Sequence, residues 1–253
     1  MRKIIIAGNW KMHKTVKDSL DFIDCIKDNI SQEPEVVLFP AFTALYEVGK
    51  KISGTNIKFG AQNMHFEKKG AFTGEISCTM IIETGAKYVL LGHSERRHIF
   101  GENDELINKK VQTAIQVGLI PLLCVGETID QRNCGKTQDV LRSQISEDLK
   151  HLKGNENFII AYEPVWAIGT GINATPSQAS EAHCYIRSLL DEIFFKGKGE
   201  DTTILYGGSI KLENVSELSA EKEIDGGLVG GASLDCSTFL GLLQSLRESK
   251  FSL

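Results

Sequence analysis

The chain has 253 residues, a formal charge of −5 and a pI near 5.7, so it presents an ordinary acidic surface. No Lys/Arg block is present to neutralise nucleic-acid phosphates, and no apolar run approaches spanning length, which excludes nucleic acid and membrane as expected partners. A chain this long buries roughly three quarters of its unfolded surface, and its six cysteines, none at C-x-x-C spacing, read as reduced and mostly core residues of a cytoplasmic protein.

In chain order, short apolar and β-branched runs recur at 4–6, 36–39, 57–59, 88–91, 120–125, 158–161, 203–206 and 228–229, eight in all. The first stops at Gly8-Asn9-Trp10-Lys11, too short for a signal peptide. Continuous runs, in place of strict alternation, suit strands covered on both faces, as a parallel sheet wrapped by helices requires. Between them lie helical stripes, one of Val16, Leu20, Ile23 and Ile26 and another of Ile186, Leu189, Leu190 and Ile193. The second has a full start signal, with Thr175 as N-cap, Pro176 at the first helical position and Gln178 three residues after the cap. Strand and helix alternate with no linker or composition break, which predicts one α/β domain over 1–253. Eight βα units point to a closed (β/α)8 barrel, with an open doubly wound sheet as the alternative. Residues 62–77 (QNMHFEKKGAFTGEIS) are longer than a βα loop needs and carry Phe66 and Phe72, so the segment reads as a partner contact.

Reacting groups of a barrel sit at the carboxyl ends of its strands. The first run leads into Asn9 and Lys11, which share a face if the chain stays extended. The fourth ends at His93, between a strand end and a helix start, where partial positive charge favours a neutral imidazole able to donate an N–H. The other five histidines have no such placement. The sixth run is followed by Glu163, then Pro164, Val165, Trp166, Ala167, Ile168, Gly169, Thr170 and Gly171. A carboxylate before a stiff proline and an apolar stretch closing in glycines resembles a base beside a hinged lid that excludes water. Gly207-Gly208-Ser209 and Gly230-Gly231 follow the last two runs, where barrel phosphate cradles are built. The stretch 169–174 also fits the dinucleotide pattern G-x-G-x-x-A, but that pattern must join strand directly to helix, and here the cap signal waits until Thr175.

Taken together, residues 7–12, 70–75, 91–97, 161–171, 206–209 and 226–232 resemble the signature segments of the triosephosphate isomerase family over nearly the whole chain. The resemblance implies a (β/α)8 barrel that interconverts dihydroxyacetone phosphate and D-glyceraldehyde 3-phosphate, a reaction of glycolysis and gluconeogenesis, with no metal or organic cofactor. It assigns proton transfer to Glu163, carbonyl polarisation to neutral His93, and charge stabilisation to Lys11 and Asn9, with Glu95 supporting Lys11. Gly169, Ser209, Gly230 and Gly231 are expected to bind the substrate phosphate, 164–171 to form the lid, and Thr73 to enter a second subunit of a homodimer. Ile172 departs from the basic residue many relatives carry, and Leu212 from a proline that often starts the following helix. Two rivals stand beside this reading: another barrel enzyme acting on a phosphorylated sugar, and a catalytically silent barrel that serves as a binding protein.

Overall fold

Alternate residues of the apolar runs face opposite ways, and both faces are buried except in the run at 57–59, where Lys58 is exposed. The computed structural model describes residues 2–167 and 174–251. Its strands are β1 (Ile5–Asn9), β2 (Glu35–Phe39), β3 (Ile57–Ala61), β4 (Tyr88–Leu91), β5 (Ile120–Val125), β6 (Ile159–Tyr162), β7 (Ile204–Tyr206) and β8 (Gly226–Val229). They pair in parallel in sequence order and close into a barrel, with Ile5 of β1 opposite Gly226 of β8. Ile5, Ala7, Val37, Phe39, Leu122, Cys124, Ile159 and Ala161 fill the interior. Their neighbours Ile6, Val36, Leu38, Leu123, Val125 and Ile160 pack outward against the helices. This double burial is why the runs are continuous in sequence. β1 runs on through Gly8 and Asn9, and β8 starts two residues before its apolar pair, because pairing with neighbours overrides the weak strand propensity of glycine and asparagine.

The surrounding helices are α1 (Val16–Ile26), α2 (Phe42–Lys51), α3 (Cys78–Glu83), α4 (Ser94–His98), α5 (Asp104–Gln116), α6 (Ile129–Asn133), α7 (Thr137–Asp148), α8 (Pro176–Ile193), α9 (Lys198–Asp201), α10 (Val215–Ala220) and α11 (Cys236–Phe251). The capping box at α8 forms as the sequence predicts: Thr175 N–H donates to Gln178 Oε1 at 3.0 Å, and Thr175 Oγ1 accepts from Gln178 N–H at 3.2 Å. Such a cap stabilises a helix by about 1 kcal/mol. In α1 the buried face is Ser19, Phe22, Ile23 and Ile26, with Val16 and Leu20 at its rim, since Phe22 turns inward to meet Trp10 edge-on at 5.1 Å. Leu212 does not begin a helix; α10 starts at Val215, and Leu212 is an exposed turn residue packed beside Gly241.

Two expectations about cysteine are corrected. Cys25 and Cys236 form a disulfide across 211 residues, with Cα atoms 6.4 Å apart, where all six thiols were expected to be reduced. Only Cys78 and Cys124 lie in the core, while Cys134 and Cys184 are exposed. The pairing joins α1 to α11, and barrel closure is what brings the first and last helices together. No helix among the described residues is long and apolar enough to cross a membrane.

Candidate active site

Glu163 and His93 hang from the carboxyl ends of β6 and β4 and meet there, with Glu163 Oε1 3.1 Å from His93 Nε2. The other carboxylate oxygen accepts from the Ser94 N–H at 2.9 Å, the first amide of α4. Both side chains are almost wholly buried. His93 is itself the N-cap of α4, and its Nδ1 accepts the Glu95 N–H at 3.2 Å. An acceptor nitrogen carries a lone pair, so this hydrogen bond assigns the ring as the neutral tautomer with its proton on Nε2, facing Glu163. The Glu95 carboxylate oxygen 3.7 Å from Nδ1 therefore makes no ion pair with it.

Lys11 enters from β1. Its Nζ lies 2.6 Å from Glu95 Oε1, and its N–H donates to Asn9 Oδ1 at 3.0 Å. Asn9 and Lys11 do not share a strand face as the sequence suggests, because Lys11 has φ +51 and the chain is no longer extended there. A left-handed kink, held by side-chain hydrogen bonds, brings both to the pocket in place of strand alternation.

One cavity of about 370 Å³ collects Asn9, Lys11, His93, Glu163, Ser209, Gly230 and Gly231, with His13, Lys211 and Ala232 at its edge. Ser209 and Gly230 are half-buried and Gly231 is exposed, and all three line the cavity. Gly207 has a further duty, since a Cβ there would sit 2.8 Å from Glu163 Cγ. Burial first, and then the Glu163 carboxylate, push the Cys124 thiol well up, so Cys124 stays protonated beside the acid. Among the described residues no group of three or more His, Cys, Asp or Glu side chains gathers as a metal site.

Pro164 follows Glu163, and Val165, Trp166 and Ala167 form a 3-10 turn with Trp166 and Ala167 buried. The remaining lid positions Ile168, Gly169, Thr170 and Gly171, and with them the Gly169 amide and Ile172, lie outside the described residues. β6 ends at Tyr162 and α8 begins at Pro176, so the glycines of the dinucleotide pattern do not join strand directly to helix. Thr73 is not brought to this cavity; it lines a separate cavity of about 390 Å³ with His65, Phe72, Glu75, Arg96 and Phe100.

Four polar residues around the site escaped the sequence reading. Gln62 Nε2 donates to Lys11 O at 2.8 Å and to Phe39 O at 2.9 Å. Asn214 braces the glycine turn after β7, donating to Ser209 O at 3.0 Å and accepting from Lys211 N–H at 2.8 Å. Arg97 binds backbone behind His93. Glu127, fully buried, accepts from Tyr162 OH at 3.1 Å and from Trp166 Nε1 at 3.0 Å, and pairs with Arg132 at 3.0 Å. Glu127 stands just past the end of the fifth run, so the strand-end rule that found Glu163 would have reached it.

The family model described as triosephosphate isomerase matches residues 4–246. Curated relatives of that name include one from Alkaliphilus metalliredigens, 50% identical over 246 residues covering 96% of this chain and 99% of the relative. Another, from Thermoanaerobacter sp. strain X514, is 52% identical over 242 residues, 94% of this chain and 98% of the relative. A third, from Aquifex aeolicus, is 48% identical over 248 residues, 97% and 100% of the two chains. With a carboxylate, an imidazole and an ammonium gathered at the carboxyl end of a closed eight-stranded barrel, and this likeness along its length, the chain belongs to the triosephosphate isomerase family.

Proposed function

We propose that this chain is an aldose–ketose isomerase that interconverts dihydroxyacetone phosphate and D-glyceraldehyde 3-phosphate. The observation that carries the reading is the Glu163–His93 pair at 3.1 Å, sharing a cavity with Lys11 and the glycine turns after β7 and β8. The phosphate docks on the amides of Ser209, Gly230 and Gly231, an arrangement that suits an anion on a chain of net charge −5 because the attraction is local. The His93 Nε2–H donates to the substrate carbonyl oxygen and makes the adjacent C–H more acidic. Once Nε2 is given over to the substrate, Glu163 Oε1 is free to take the carbon-bound proton. The Lys11 ammonium opposes the negative charge that builds on the enediolate and phosphate, and Asn9 and Glu95 hold Lys11 in place. His93 then moves a proton between the two oxygens, and Glu163 returns its proton to the neighbouring carbon, so nothing is consumed.

The same reading takes 1–253 as one domain in the cytoplasm and as half of a homodimer, with Thr73 and Phe72, exposed at the tip of the third βα loop, turned to a second copy. It also assigns the lid to 164–171, of which the described part is Pro164 with the turn Val165–Ala167. The decisive test is Glu163→Gln in a coupled assay on dihydroxyacetone phosphate. The expected result is a kcat lower by about 10³-fold or more with KM changed far less, since the lost interaction acts in the transition state. Parental kcat in that variant would refute the assignment.

A further inference from the structure

The arginine one helical turn beyond His93 is turned wholly inward. Arg97, with its side chain 7% exposed, folds back beneath α4, where Nε donates to Gly92 O at 2.8 Å and Nη2 to Cys124 O at 3.0 Å. Both carbonyls lie where the β4–β5 ladder runs out, since β4 ends at Leu91, opposite Leu123. The remaining donors meet Asp104 and Asp148. The fit over Gly92 is close: that residue has φ +69, and a Cβ there would lie 2.8 Å from Arg97 Nη2 and 3.0 Å from Cys124 O.

One clamped carbonyl lies at the end of β4, which carries His93, and the other near the end of β5, whose ladder with β6 runs up to Glu163. Gly92 shares a peptide with His93. The Cys124 thiol borders Glu163, and the next residue, Val125, accepts the Glu163 N–H at 2.7 Å. A buried ion pair gives little stability over a well-packed apolar replacement, so this one calls for another reason to exist. Asp148 sharpens the point: it is fully buried, its Oδ1 has no hydrogen-bond partner among the described residues, and burial pushes its carboxyl up to about 7 despite Arg97.

We propose that Arg97 is a positioning residue for the isomerisation: by binding the Gly92 and Cys124 carbonyls together it keeps the His93 imidazole and the Glu163 carboxylate in register, while Asp148 and Asp104 hold the guanidinium. The inference rests on the roles given above to His93 and Glu163. Displacements near 1 Å at a reacting group lower rates by about 10²-fold, so the clamp acts on kcat and leaves the phosphate contacts alone.

Arg97→Lys tests it, because an ammonium keeps the charge opposite Asp148 yet lacks the planar fork that spans two carbonyls. The expected result is kcat lower by about 10- to 100-fold, with KM and the inhibition constant of inorganic phosphate held within about twofold. The ¹⁵N NMR signals of the His93 ring are expected to move from their parental positions. Parental kcat and parental His93 signals in Arg97→Lys, whatever its melting temperature, overturn the proposal. Should that variant fail to fold, Asp104→Asn loosens the guanidinium from its half-exposed side, and a lower kcat at parental KM is again expected, with parental kcat again overturning it. His93→Gln in the same assay separates the two levels. Parental kcat there removes the active-site reading itself, whereas a large loss there beside a parental Arg97→Lys removes only the inference about Arg97.

Discussion

Lys11 occupies a backbone region that costs a non-glycine residue about 1–2 kcal/mol, and three partners hold it there. Asn9 Oδ1 takes its N–H, Gln62 Nε2 donates to its carbonyl, and Glu95 Oε1 meets its ammonium. Gln62 also ties that carbonyl to Phe39 O at the end of β2, so one amide locks the first strand end to the second. Replacing Gln62 with Leu keeps the bulk, removes both bonds and leaves the kink free to relax. The expected outcome is a kcat/KM lower by about 10-fold, the equivalent of about 1.4 kcal/mol, read in the coupled assay at unchanged helix content. An unchanged kcat/KM would mean that the kink holds itself. Position after a strand end made Lys11 a candidate and the family resemblance gave it a role, but of the partners that aim it only Asn9 is local, while Gln62 and Glu95 come from far along the chain.

At the scale of elements, the third βα loop is ordered from within. His65 donates its N–H to Ile76 O at 2.8 Å, and its ring sits 4.5 Å from Phe66 and 4.1 Å from Phe72. Phe66 and Phe72, for which the segment read as a partner contact in the sequence, thus pack on a histidine, while Phe72 and Thr73 stay exposed. Ile99 and Phe100, beyond α4, are exposed as well, at 73% and 65%. Shortening the tip across 70–74 is expected to give monomers in analytical ultracentrifugation, with kcat lower by about 100-fold, the size expected when reacting groups lose their support. A fully active monomer would show that the loop has no part in assembly or activity.

Across the whole molecule, a buried polar cluster at the amino-terminal end closes the seam between the last strands and the first. Asp225, just before β8, binds Arg187 of α8 at 2.7 Å and Arg2, just before β1, at 2.7 Å. Beside it His183 is fully buried, with Nδ1 3.1 Å from Glu223 O, and Nε2 has no hydrogen-bond partner among the described residues. Burial, then the neighbouring positive charges of Arg187 and Arg2, depress its pKa from the ordinary 6.5 to about 3. The folded protein therefore resists protonation that the unfolded chain accepts. The stability this contributes is fully present above pH 6.5 and fades as pH falls from 6.5 toward 3. His183→Gln lacks the titration, so the parent's lead over it in denaturant unfolding should shrink by about 2 kcal/mol between pH 7.5 and pH 5. A constant lead across that range would show that His183 titrates normally in the fold.

The sequence by itself determined the alternation of strand and helix, the α8 cap at Thr175, and the strand-end positions of Glu163, His93 and the glycine turns, because propensity, periodicity and capping act over a few residues. It also carried the kinds of chemistry available, since a side chain's donor, acceptor and titratable groups belong to its type, while burial in the fold sets how readily they take a proton. What only the tertiary structure decided are relations across long stretches of chain: the meeting of β4 and β6 ends in one cavity, Gln62 against Lys11, Arg97 between Gly92 and Cys124, and Cys25 with Cys236. These distances are set when β8 pairs with β1 and the ring closes, and no local pattern encodes them.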